Sequence, residues 1–139
     1  MAGGFIYMNN KYVPIFTISN AISPTSGISQ LINSYREAAV RHGDAIARGD
    51  HQSANRAANR IAAIYSELRR RGLEAQRQLI PLLDAPEPRV RGWAAAHSLE
   101  FAPSEGEAVL IRLVSQSGLL GLSAEMTLKE WRAGRLRFP

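Results

Sequence analysis

"LLDAPEPRVRGWAAAHSLEF", Leu82 to Phe101, decides how the rest of the chain is read. It holds an aspartate, two glutamates, two arginines, a histidine and a tryptophan, a set that suits a catalytic cluster. The same residues also suit two amphipathic helices and their connection, with polar side chains on the wet faces. "DAPEP" is a turn signal, and Pro88 fits a first helical turn, where its missing N–H would be unsatisfied anyway. From there Val90, Ala94, His97 and Phe101 recur at steps of three and four on one face, and Arg91 points away from it. A helical hairpin is the expectation.

The same period extends outward. Upstream, Ile28, Leu31, Ile32, Tyr35, Ala38, Ala39, His42, Ala45 and Ile46 form one stripe, which Gly49 ends. Asp50 is placed to cap a second helix with Ala54, Ala57, Ala58, Ile61, Ala62, Tyr65 and Leu68 on its stripe, ending at Gly72. So short a join predicts antiparallel neighbours. A third helix is expected over about Leu73 to Leu83, with Pro81 weakening its last turn, and a fourth from Pro88 to Phe101. Ser104 and Glu107 have capping-box spacing for a fifth. After the loop "SQSGLLGL", Ser123 is the expected cap of a sixth, which stops before Gly134.

Residues 1–27 read differently. "FIYMNNKYVPIFTI" places two β-branched and aromatic runs around Asn9-Asn10, a hairpin-like signal, and Pro14 restricts the second run to an edge. The expected organisation is an extended or hairpin-like arm over 1–27 and a helical domain over 28–139. The arm is also the expected route to a homo-oligomer.

A weak repeat underlies the second half. "LIPLL" at 79–83 matches "LIRLV" at 110–114, and Ala94 with "EF" at 100–101 matches Ala124 with "EW" at 130–131. Helix pairs recurring at this period are the pattern of a stacked solenoid. The segment "LIPLLDAPEPRVRGWAAAHSLEF" resembles a HEAT-type hairpin, with one departure: Ser98 stands where that pattern has an apolar residue, and Leu99 follows it. The fold expectation is all-α, about six helices in antiparallel hairpins, stacked as a HEAT-like α-solenoid. From Tyr35 to Gly134 the chain is also similar to a small bacterial domain-of-unknown-function family. The residues that carry this are Val90-Arg91-Gly92-Trp93-Ala94-Ala95, Leu99-Glu100-Phe101, and "AEMTLKEW" from Ala124 to Trp131. The resemblance implies an all-α fold, leaves the arm outside, and transfers no activity.

Composition narrows the chemistry. The chain has 139 residues and no cysteine, which removes disulfides, thiolate metal sites and a cysteine nucleophile. No apolar run approaches a membrane span, and the start lacks the basic and apolar regions of a signal peptide. A cytoplasmic protein is expected. The net charge of +5 is uneven: nine basic against four acidic residues up to Arg71, then eight against eight.

Three groups of residues are candidates for function. Arg56, Arg60, Arg69, Arg70 and Arg71 form a basic set that could face nucleic acid, although the nearest aromatic, Tyr65, is spaced like a core residue rather than a stacking platform. His97, flanked on its helix by Trp93 and Glu100, is either a histidine oriented by a carboxylate or a helix-face histidine with a satisfied contact. Trp93 and Trp131 are either core anchors of their hairpins or, with Arg89, Arg91 and Glu130, a binding patch of the tryptophan–arginine kind. His42, His51 and His97 lack zinc-ligand spacing, and no phosphate- or dinucleotide-binding glycine pattern occurs, so neither metal nor cofactor is expected. The expectation is a non-enzymatic protein-binding module for a partner with an acidic surface, an immunity-type inhibitor being one such role. Nucleic-acid binding is the alternative.

Overall fold

The computed structural model describes residues 22–139, so the expected arm falls largely outside the described residues. Within them lie six helices: α1 (Ile28–Arg48), α2 (His51–Arg71), α3 (Leu73–Arg77), α4 (Pro88–Ser98), α5 (Pro103–Val114) and α6 (Gly118–Arg132). A 3-10 turn, Ile80–Asp84, precedes α4, and no strand occurs among the described residues. The fold is all-α.

Local signals set the first hairpin. Gly49 takes φ 73°, the left-handed conformation that costs glycine little, and its N–H bonds the Ile46 carbonyl at 3.1 Å. Asp50 then accepts the Ser53 N–H at 3.0 Å and caps α2. Ala38, Ala39 and Ala45 on α1 and Ala54, Ala58 and Ala62 on α2 are all buried. Small side chains on both stripes let the two axes approach closely.

The expected third helix is divided. Pro81 has no N–H to donate, and its ring would meet the carbonyl of Arg77, so the α-helix ends there and the chain continues as a 3-10 turn. Leu79, Leu82 and Leu83 reach the core from this tighter backbone. "LIPLL" and "LIRLV" therefore have different conformations, a 3-10 turn in one case and the end of α5 in the other.

α4 is enclosed by the rest. It packs against α1, the 3-10 turn, α5 and α6. Every residue from Val90 to Ser98 except Arg91 is buried. A helix apolar on nearly all sides belongs at the centre of a core. It stops at Ser98 rather than Phe101, and the chain continues in turns to Ala102, where the following Pro103 disfavours α-helical geometry. Ala102 accordingly sits at φ −144°, ψ 66°.

Two expected caps are displaced. Pro103 takes the first position of α5, so Ser104 lies inside the helix and makes no side-chain cap. α6 begins at Gly118, so "GLLGL" is helical and Ser123 is buried within it. Gly121 permits this early start: a Cβ there would lie 2.0 Å from the Gln116 carbonyl oxygen and 2.9 Å from that of Val114.

Trp93 has no exposed surface. Trp93→Ala should therefore cost about 3–5 kcal/mol, enough to bring a domain of ordinary stability close to unfolding, and a thermal melt will read the loss. Gly121→Ala should cost about 1–3 kcal/mol by overpacking the α5–α6 turn, visible as a lower denaturant midpoint with unchanged slope.

Candidate binding surfaces

Polar chemistry inside the protein runs along the α4 face that meets α1 and α2. The His97 ring is fully buried and stacks on Tyr65, centroids 4.2 Å apart and planes within 6°. Its Nδ1 lies 2.6 Å from the Tyr35 hydroxyl. Burial pushes the Tyr35 hydroxyl well above its ordinary pKa, so it stays protonated and donates to Nδ1. The imidazole is neutral for the same reason: burial drives it down to about 3. Trp93 tilts toward His97 at 6.0 Å and meets the buried His42 ring edge-on at 5.2 Å.

The network then leaves the core. Tyr65 donates its hydroxyl proton to Glu100 and accepts from Gln76 Nε2 at 3.0 Å. Glu100 is gripped by Arg69, whose Nη1 also donates to the Pro139 carbonyl at 2.8 Å. His97 and Glu100 are thus not an acid–base pair. The ring faces tyrosines in the core, and the carboxylate anchors an arginine at the surface.

The residues of the expected tryptophan–arginine patch do not form one surface. Trp93 is inside the core, because its helix is enclosed on all sides. Arg91 donates to the Ala85 and Pro86 carbonyls at 2.7 and 3.1 Å, tying α4 to the "DAPEP" turn. Arg89 lies over α1: a Cβ on Gly43 would be 3.0 Å from its Cγ. Burial lowers its pKa. Glu130 is paired with Arg135, and Trp131 is half-buried against the core.

The basic set is also divided. Arg69 is held by Glu100, while Arg70 and Arg71 share Glu67, at 2.6 and 2.7 Å. The hydrogen bond from Arg70, with Arg71 beside it, lowers the Glu67 carboxyl to about 2. Arg71 also donates to the Ser26 carbonyl at 2.6 Å and fastens the segment that leads into α1. Arg56 and Arg60 behave differently. With Arg41 and Arg48 they line a groove of about 430 Å³ between α1 and α2, with Asp44 and Ser53 in its walls. Arg48 reaches Asp50 at 3.4 Å, and Arg56 donates to Ser53 Oγ at 2.9 Å. Arg41, Arg56 and Arg60 have no ion pair among the described residues. Arg41 and Arg48 were missed in the sequence because they lie on a different helix from the basic set, and only the hairpin brings the two pairs together.

No group of three or more histidines and carboxylates among the described residues is placed to hold a metal ion. No described helix is long and apolar enough to cross a membrane.

The structure defines an all-α domain with a sealed aromatic–polar interior and an arginine-lined groove on its first hairpin. The chain belongs to the family described as "Domain of unknown function (DUF2019)", whose model matches residues 29–131. Its fold is similar to that of the protein RPA1889 from Rhodopseudomonas palustris CGA009, known from a crystal structure. The TM-score is 0.76 at 24% identity, over 83% of this chain and 96% of that one. A comparison with curated proteins finds no match.

The depressed His97 pKa gives a pH dependence of definite sign. The unfolded chain takes up a proton as pH falls below about 6.5, and the folded ring resists it down to about 3. Stability is therefore full above that window and is lost as pH falls through it, at up to about 1.4 kcal/mol per pH unit. His97→Gln should be less stable than wild type at neutral pH and show a shallower decline on mild acidification. Melting temperatures across the pH range check this.

Proposed function

We propose that this chain is a non-enzymatic protein-binding module that takes an acidic segment of a partner protein in the groove between α1 and α2. The observation that carries the reading is the convergence of Arg41, Arg48, Arg56 and Arg60 on one groove, three of them without an ion partner among the described residues. Guanidinium groups bind carboxylates through paired, directional hydrogen bonds. The positive potential of the groove would also speed encounter with an acidic surface. An immunity-type inhibitor, which covers a functional surface of its target, is one role such a groove would serve if that surface is acidic.

Two observations favour a protein over nucleic acid. Arg69, Arg70 and Arg71 are engaged with Glu100 and Glu67, so the basic set does not continue along α2 as a phosphate track. The groove lining contains no aromatic side chain on which a base could stack.

A labelled glutamate-rich peptide and a duplex DNA of matched charge test the reading by fluorescence anisotropy at low and moderate salt. The peptide should bind, and the double charge reversal R41E/R60E should weaken it about tenfold or more. Peptide binding that is absent, or unchanged in the variant, overturns the proposal. DNA bound more tightly than peptide, with a steep salt dependence, replaces it with nucleic-acid recognition.

A further inference from the structure

The α5–α6 hairpin leaves apolar side chains in water. Ile111 and Val114 on α5 are 52% and 38% exposed, and Leu119 and Leu122 on α6 are 43% and 42% exposed. Ile111 and Val114 open onto a groove of about 830 Å³ that has Leu128 in its lining and reaches Ala133. Leu122 stands on the same side of α6, one turn before Glu125 and two turns before Lys129, which also line the groove. Clustered apolar exposure of this kind marks an interaction surface.

The charges around it are balanced, unlike those of the arginine groove. Glu107 and Arg132 pair across α5 and α6 at 2.9 Å. Glu125 and Lys129 carry opposite charges and have no ion pair among the described residues. A surface with one free charge of each sign, four residues apart on one helix face, is complementary to its own inverted copy.

We infer that this face is a homodimer interface in which α6 packs antiparallel on α6 of a second copy. In a two-fold contact, residue i meets j and j meets i. An axis at the level of residue 127 sets Glu125 against Lys129 of the partner subunit, and the reciprocal pair forms on the other side. Leu122 then faces Arg132 of the partner subunit, entering the end of the groove where the arginine is already turned toward Glu107. A parallel arrangement would oppose Glu125 to its own copy, a like-charge contact that disfavours it. The contact uses the second hairpin and leaves the arginine groove of the first open, so a dimer would display two such grooves.

Sedimentation equilibrium of the full chain tests the inference. Wild type should dimerise at micromolar concentration. Glu125→Lys and Lys129→Glu should each raise the dimer dissociation constant about tenfold or more, because each sets like charges across the axis. An equimolar mixture of the two variants should restore association, since one then supplies only lysines and the other only glutamates at the facing positions. Both positions lie at the surface, so circular dichroism should show wild-type helicity. A wild type that stays monomeric, single variants that dimerise as wild type does, or a mixture that fails to associate would each overturn the inference.

Discussion

Seating a polar imidazole at the centre of the core constrains the rest of this structure. A buried polar group is costly unless it is hydrogen-bonded. The main answer here is one hydroxyl, from Tyr35 on α1, meeting His97 Nδ1 across 62 residues of sequence. Tyr65 on α2 covers the face of the same ring. These two contacts set the rotation of α4 relative to both helices of the first hairpin, because a small turn of α4 would remove the ring from its partners. With that face committed, the remaining sides of α4 are left for the 3-10 turn, α5 and α6. Its many alanines permit close approach on each of those sides.

The same seam explains how the segments flanking the helical domain are held. Tyr65 passes its hydrogen bond to Glu100, Glu100 holds Arg69, and Arg69 reaches the Pro139 carbonyl. Two residues further along α2 and on its other side, Arg71 fixes the Ser26 carbonyl. The arginine run at the end of α2 is therefore structural. Each member is matched to a carboxylate, and hydrogen bonding to these arginines keeps Glu67 ionised well below the usual carboxylate range. Charge neutralised in this way is not available to a partner. The arginines of the first hairpin that have no ion pair among the described residues, Arg41, Arg56 and Arg60, all line the groove. The second hairpin carries a balanced pair and exposed aliphatic side chains. Two surfaces of different chemistry thus sit on either side of one sealed core.

Elements with strong local signals were legible in the chain itself. Gly49 and Asp50 at one turn and Gly72 at the next give α1 and α2 their bounds, since left-handed glycine and a capping aspartate act within a few residues. The all-α class follows from the helical period, which needs no knowledge of the partner elements. Helix starts were misread where a nearby residue overrode the local signal. Pro103 displaced the Ser104 cap, and the close approach at Gly121 let α6 begin five residues before Ser123.

The sequence by itself determined the helical class, the first hairpin and the excess of positive charge in the first half. It left open whether Trp93 was core or interface, because the inward face that periodicity names runs through Val90, Ala94 and His97, and Trp93 lies at the edge of that face. Only the tertiary structure decided that, by placing elements against α4 on every side. It also decided which arginines keep a free charge. Glu100 lies 31 residues from Arg69, and Arg41 lies on a different helix from Arg60. Ion pairing is a matter of distance in space, and spacing along a chain does not report it.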